Sequence, residues 1–462
     1  MDDLRTPAQS PTRVPTAAGE AREPAPAGSA HSGIVDRSVL DNGLRVVTVG
    51  LPHLHSGLVS VYVRAGSRHE TEQTNGVCHF LEHLFFRGSE GFPEGRAMNA
   101  LVEDVGGDLN GVTCRDHGFY LTPVHPRRLE VPFAVLGDML ARPLFKDLEL
   151  EREVILEEIL DEVDEDGRDI DVDNLAKRGL FEGHPLALKI AGTRDTVSGI
   201  TEEQLRAHHA RAYGARNLVL VAAGPLAHAE VLRLAERSFG GLPPGVALAD
   251  DPPPPPFDNG PRLVLVDHKE SQTQVQLCFR SPPEDHPDFP ALRVLRRILS
   301  DGLASRMQAE LVEKRALAYS VGASMDGFSD CAVFDVGAAC APKKAPAVAQ
   351  AMLELLGELC DTDVGEAELD RARRKSRIRI EFMRDAPGDL CEWWGTGELL
   401  HTPAEGLEQW LGRIEAVSAA DVRRAANAVF KRGRLLGCVV GPLGSQERKL
   451  RDLLEAAERL PR

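Results

Sequence analysis

A chain of 462 residues is too long for one ordinary hydrophobic core, and a hydrophobic content of 42% places it among globular proteins of two or three domains. The net charge of −17 argues against general binding to nucleic acid or to an anionic membrane surface, and is compatible with a basic or neutral peptide substrate. No apolar run reaches the roughly 20 residues that span a bilayer.

Residues 1–33 are rich in Pro, Ala, Ser and Gly, lack aromatics and hold no apolar signal-type segment, so they are expected to form a disordered tail. NGLRVVTVG then leads into LVSVYVRAGS, where Val59, Val61 and Val63 alternate with polar positions. The alternation reads as a strand pair. VCHFLEHLFFRGS follows, and its spacing predicts a helix over 76–87. His79, Glu82, His83 and Phe86 share one face of it, while Val77, Phe80, Leu81 and Leu84 cover the other.

Two imidazoles at i and i+4 can grip one zinc ion, each nitrogen about 2.0–2.1 Å from it. Glu82 sits one turn from His79, close enough to reach a water on that ion. The order H-x-x-E-H is the reverse of H-E-x-x-H and is an inverzincin signature. The plainer alternative is a core helix with satisfied polar groups, but burying three such groups without a partner costs several kcal/mol. A tetrahedral catalytic zinc takes a third protein ligand and leaves the fourth position to water. LEREVILEEILDEV at 150–163 predicts a helix that offers carboxylates. Glu158 has Val154 and Ile155 on its stripe, with Glu151 two turns before it. Glu157 has Glu153 and Asp161 at i±4, the pattern of a solvated face. Glu158 is therefore the expected ligand, with Glu151 as a supporting carboxylate.

DDPPPPPFDNGP at 250–261 is a stiff spacer. It divides the chain into 34–249 and 262–462, and the two parts look alike. RLVLVDHKES and TQVQLCFRSP repeat the first strand pattern. TEEQLRAHHARAYGARNLVLVAAGPL closes the first part as SAADVRRAANAVFKRGRLLGCVVGPL closes the second. This reads as an internal duplication of one α+β unit. The second half has no H-x-x-E-H, so it is expected to help a metal-bearing first half. Trp393 and Trp394 are expected to pack within the second half. Eight cysteines without C-x-x-C pairing read as reduced thiols of a cytoplasmic protein, and Cys78 reads as a buried packing residue.

HFLEHLFFRG and EREVILEEI resemble the pitrilysin-type inverzincins, the metallopeptidase family of mitochondrial processing peptidase and insulin-degrading enzyme. The resemblance implies that His79, His83 and Glu158 bind one Zn2+ per chain, that Glu82 is the catalytic base, and that Glu151 is a further functional glutamate. It also implies two homologous halves, each a mostly antiparallel sheet packed with helices, closing as a clamshell. VGGDLNGVTCRDHGFY resembles the family stretch GG-x-x-N-A-x-T, which makes Asn110 a substrate-backbone holder and leaves Gly111 where alanine is usual. VEKRALAY resembles R-E-K-R-G-L-A-Y. Tyr319 matches the tyrosine that binds the scissile region, but Val312 stands at the arginine position. Arg315 could substitute, a partner subunit could supply the arginine, or the peptidase could be slow or specialised. The implied activity is cleavage of peptides or unfolded segments in a chamber, by a homodimer or by a heterodimer with a related subunit carrying an Arg/Tyr pair. Neither nucleic acid nor membrane is expected as a partner. The competing reading is a non-catalytic or weakly active structural or peptide-binding subunit.

Overall fold

Two sheets organise the chain, and the second repeats the strand order of the first. The first holds β1 (Ile34–Val39), β2 (Arg45–Gly50), β3 (Gly57–Val63), β4 (Asn110–Thr113), β5 (Gly118–Val124) and β6 (Leu218–Gly224), in the order β1-β2-β6-β3-β5-β4. The second holds β7 (Arg262–Asp267), β8 (Thr273–Ser281), β9 (Ala318–Gly327), β10 (Ala332–Cys340) and β11 (Leu435–Gly441), in the order β7-β11-β8-β10-β9. All pairings are antiparallel except β2 with β6 and β7 with β11. This computed structural model describes residues 34–249, 252–401 and 404–462; the expected tail at 1–33 lies outside them. The described residues pack as one compact unit. Among the described residues no helix is long and apolar enough to cross a membrane.

One expectation needs correction. β2 and β3 do not pair with each other, nor do β7 and β8. In each half the last strand inserts between them, parallel to the first and antiparallel to the second. The alternation along β3 also fails as a mark of one solvated face, since Ser60 and Tyr62 are as buried as Val59, Val61 and Val63.

The reason lies in an exchange of helices. On one face of the first sheet, Val59, Val61 and Val63 pack against α1 (Val77–Phe85) and its neighbouring helices. On the other face, Tyr62, Val47 and Val221 pack against Leu390, Cys391 and Trp394 of a second-half helix, Pro387–Leu400. Trp394 thus packs across the halves, while Trp393 also touches the second half's own core. Helix α3 (Val172–Leu180) returns the exchange, with Ala176 and Leu180 against Cys278, Val333 and Leu436 of the second sheet. Gly179 and Gly395 permit the two close approaches. A Cβ at Gly179 would lie 2.9 Å from Leu436, and one at Gly395 would lie 2.2 Å from the Tyr62 ring.

Charged latches add to this interlock. Arg68, which is fully buried, donates two bonds to the Asp330 carboxylate at 2.9 and 2.6 Å. Buried Lys177 of α3 contacts Asp173 at 2.8 Å, Asp326 at 2.5 Å and Asp335 at 3.5 Å. A lysine among three carboxylates satisfies a charge that would otherwise be costly to bury.

Candidate metal centre

Helix α1 begins after Gly76, whose φ of 98° is left-handed and suits glycine. No adjacent side chain caps it. Instead the buried Glu70 carboxylate accepts from the backbone N–H groups of Gly76 at 2.7 Å and Cys78 at 2.8 Å, and from Asn75 at 2.9 Å. An anion at a helix N-terminus satisfies free N–H groups and complements the dipole. Val77, Cys78, Phe80, Leu81, Leu84 and Phe85 are buried, while His79, Glu82 and His83 line the less buried face. Helix α2 (Leu148–Leu160) packs beside it and presents Glu151 and Glu158.

His79 Nε2 and His83 Nε2 each lie 3.6 Å from a different oxygen of Glu158. Donor atoms of these three residues all fall within 4.8 Å of one another. A separation of 3.6 Å is too long for a hydrogen bond. It is close to the ~3.3–3.4 Å between two ligands that share a tetrahedral ion at about 2.0–2.1 Å. The donor set therefore fits zinc. His83 Nδ1 lies 2.9 Å from Glu151 Oε2, which commits that nitrogen and leaves Nε2 facing Glu158. Arg87 pairs with the other Glu151 oxygen. His79 lacks such support, since its Nδ1 is buried without a hydrogen-bond partner among the described residues.

Burial, helped by the nearby His83, pulls the His79 pKa down to about 4, so at neutral pH the ring is uncharged and one nitrogen keeps a free lone pair. Burial also opposes charge on His83, but the bond to Glu151 and the field of Glu158 prevail and raise its pKa. Glu82 is shifted upward, chiefly by burial, against a hydrogen bond donated by the Thr113 hydroxyl. An elevated carboxylate pKa suits a group that takes up and returns a proton. Burial opposes ionisation of Glu151, yet His83 and Arg87 together hold its carboxyl below the usual range. A cleft of about 910 Å³, lined by Glu82, His83 and Glu151 together with Arg96, Asn99 and Lys146, opens onto the cluster.

The profile described as Insulinase (Peptidase family M16) matches residues 45–194, and the one described as Peptidase M16 inactive domain matches residues 199–376. A relative named as an uncharacterized zinc protease in Mycobacterium leprae (strain TN) is 34% identical, over 92% of this chain and 96% of its own length. This chain belongs to the M16 peptidase family. That is the pitrilysin-type family which the sequence resembles. Another relative, named as a probable beta subunit of mitochondrial-processing peptidase in Arabidopsis thaliana, is 28% identical over 88% of this chain and 78% of its own. The crystal structure of a protease from Helicobacter pylori superposes with a TM-score of 0.83, at 24% identity, covering 89% of this chain and 100% of that one. A chain of the structure described as Complex III2 from Candida albicans, Inz-5 bound, has a TM-score of 0.78 at 17% identity, over 91% of this chain and 100% of that one. These last two likenesses establish the fold.

The M16 chain's other expected residues lie apart from the three donors. Asn110 is exposed at the start of β4, an edge strand, and donates to the Asp108 carbonyl at 3.3 Å. A Cβ on the next residue, Gly111, would stand 3.1 Å from both Glu82 and Phe86, so β4 runs directly beside the catalytic-base candidate. Tyr319 is 70% exposed on β9, the edge of the second sheet. It is the extra residue where the register shifts opposite Ala339 and Cys340, a bulge of the kind that re-aims a side chain. No hydrogen bond or ion pair among the described residues joins it to the cluster. Val312 lies in a π-helical turn, Gln308–Lys314. Arg315 is engaged by Glu354 at 3.1 Å and by Glu310 at 3.8 Å. Sequence reasoning missed Thr113, which the T of GG-x-x-N-A-x-T could have flagged. It also missed Glu70, whose role as a remote cap depends on a fold-back that no local spacing reveals.

Proposed function

We propose that this chain is a zinc-dependent endopeptidase, with one zinc per chain held by His79, His83 and Glu158, acting on short or unfolded peptides. The observation that carries this reading is the convergence of two imidazoles and a carboxylate beside a half-buried Glu82 whose pKa is raised. A zinc ion held there would lower the pKa of a water molecule and polarise the scissile carbonyl. Glu82 takes a proton from the attacking water and returns it to the leaving amine nitrogen. Thr113 aims the Glu82 carboxylate, and Glu151 fixes the His83 tautomer. A peptide adds to the free edge of β4 as an extra strand, held at Asn110. Tyr319 donates a hydrogen bond to the developing oxyanion. The eight unbridged cysteines agree with a reducing, cytoplasmic setting.

The chain works as a homodimer or with a related subunit that supplies the arginine replaced by Val312. The engagement of Arg315 by Glu354 and Glu310 favours a partner over internal substitution. The same valine sustains a second reading, a weakly active peptide-binding subunit. The test is metal content and cleavage of unstructured peptides by the purified protein, with Glu82→Gln beside it. Stoichiometric zinc in both, with cleavage only in the unaltered protein, is expected. Absence of zinc from both overturns the zinc-peptidase reading. Zinc without cleavage, and without rescue by a related subunit, favours the second one.

A further inference from the structure

Helix α4 (Phe289–Leu299) occupies in the second half the place that α1 holds in the first. Each follows the strand at the centre of its sheet, β3 or β8, and precedes the edge strand, β4 or β9. A constant offset of 214 residues carries His79, Glu82 and His83 onto Arg293, Arg296 and Arg297. The same offset carries the six buried positions of α1 onto buried positions of α4. Contacts repeat as well. Glu82 lies beside Gly111 of β4, and Arg296 Nη1 donates at 3.4 Å to the carbonyl of Ala323 on β9. Through their antiparallel pairings, Gly111 and Ala323 hold matching register positions in the two sheets. The stripe that gathers metal donors in one half is an arginine stripe in the other.

These arginines line a cavity of about 470 Å³ between the halves, to which the first half contributes Cys114, His117 and Phe119. Most other charges there are already partnered. Arg297 pairs with Asp301, Arg379 with Asp389 at 2.9 Å, and His401 with Glu284 at 3.4 Å. Arg293 is hemmed in by its surroundings, with its guanidinium 5.9 Å from the Phe289 ring and no hydrogen bond or ion pair to a described residue. Arg296 Nε is buried with no hydrogen-bond partner among the described residues. Burial, with Arg293 and Arg297 nearby, pulls the Arg296 pKa down to about 10, the mark of crowded cations short of counter-charge. Glu392 also faces the cavity; it is exposed and forms no ion pair with the arginines, but it and Glu284 act on Arg293 through their fields. Arg293 and Arg296 are half-buried, and charges withdrawn from water are ordinarily paired.

We propose that this cavity receives a carboxylate of the peptide substrate, held by Arg293 and Arg296, and so selects peptides with an acidic residue on one flank of the scissile bond. The proposal rests on the peptidase reading above. Its spacing follows from β4. Gly111 and Thr113 stand beside Glu82, and Cys114, the next residue, lines the cavity. A strand added to β4 advances about 3.3 Å per residue. Its side chains therefore reach the arginines from about three residues beyond the scissile bond.

The test walks a single Glu, or a matched Gln, along both flanks of one unstructured peptide. The unaltered protein is expected to favour Glu at least ten-fold in kcat/KM, at positions on one flank only. In Arg293→Gln/Arg296→Gln that ratio falls to about one, and in Arg293→Lys/Arg296→Lys it is largely kept. Binding of the same peptides to Glu82→Gln, read by calorimetry, should show the same Glu preference. No preference at any position, with cleavage still dependent on Glu82, overturns this proposal and leaves the peptidase reading standing. No cleavage, with a Glu-selective binding that the double Gln variant loses, keeps the carboxylate-binding pocket and removes the peptidase. Inhibition by inorganic phosphate without a Glu-over-Gln preference also overturns it, assigning the cavity to a free anion.

Discussion

Replacing Gly395 by alanine tests the exchange of helices between the halves. In an open helix this change stabilises by about 0.5–1 kcal/mol, because alanine loses less backbone entropy. Here the new Cβ would lie 2.2 Å from two carbons of the Tyr62 ring and 2.6 Å from a third. Carbon contacts are comfortable at about 3.5–4.0 Å, so ring or helix must move by more than ~1 Å. The ring cannot yield cheaply: Tyr62 is 2% exposed and lies 5.4 Å from the Phe119 ring. Overpacking of this kind costs about 1–3 kcal/mol, and the severity of the contact points to the upper part of that range. The net expectation is a loss of about 2 kcal/mol, so the clash outweighs the helix gain. Gly179→Ala is the control. Its Cβ meets the Leu436 methyls at 2.9 and 3.0 Å, and a leucine end can rotate away. That variant should stay within about 0.5 kcal/mol of the parent. Guanidinium unfolding followed by tryptophan fluorescence reads both, with Trp394 adjacent to the substitution. If Gly395→Ala stabilises the protein, helix Pro387–Leu400 does not press on the first sheet as described.

Three further outcomes are expected. Glu151→Gln removes the charge that orients His83, and zinc affinity, read by chelator competition, should weaken about 10–100-fold; unchanged affinity would detach Glu151 from the metal centre. Gly111→Ala presses on Glu82 by a few tenths of an ångström, and since ~1 Å of misplacement costs about 10²-fold, cleavage should change by less than about ten-fold. Its zinc affinity should not move, because the contact touches none of the three donors, and a large loss of zinc would refute that geometry. His208 has its pKa lowered to about 3, first by burial and then by Arg211. The unfolded chain therefore binds a proton near pH 6.5 that the folded chain refuses, and stability should fall as pH drops from about 6.5 towards about 3, by at most ~1.4 kcal/mol per unit from this group. Denaturant midpoints across that range should slope less steeply in His208→Gln, and identical slopes would sink the assignment.

What could be read in advance was what local phase determines. His79, Glu82 and His83 are three and four residues apart, so helical geometry alone put them on one stripe. The choice of Glu158 over Glu157 also followed from phase, and Glu158 is the carboxylate that faces both histidines. What could not be read depends on distant chain. Nothing within 42–67 announces that β6, some 150 residues later, separates β2 from β3, or that Ser60 and Tyr62 are covered by a helix from the other half. The arginine stripe was visible in ALRVLRRIL, yet as sequence it marked only a missing H-x-x-E-H. It became a site when strand register aligned α4 with α1.

The halves are coupled where the metal helix begins. Arg68 reaches across to Asp330, and Asp116 accepts from the Ser329 backbone N–H at 3.1 Å, so the turn at 329–330 is clasped from two sides. Two residues after Arg68 comes Glu70, whose carboxylate holds the first N–H groups of α1. Closure of the second half onto the first and placement of His79 thus share the three-residue segment Arg68–Glu70, which is buried at both ends. Asp116 also sits in the β4–β5 turn, between Cys114 and His117, which both line the arginine cavity. A peptide lying along β4 would therefore meet a metal-donor stripe on one side and a cationic stripe on the other, and the contacts that set the distance between them are the same ones that position α1. On the peptidase reading, Val312 leaves the substrate path without one cation, and α4 places Arg293 and Arg296, which form no ion pair among the described residues, elsewhere along it.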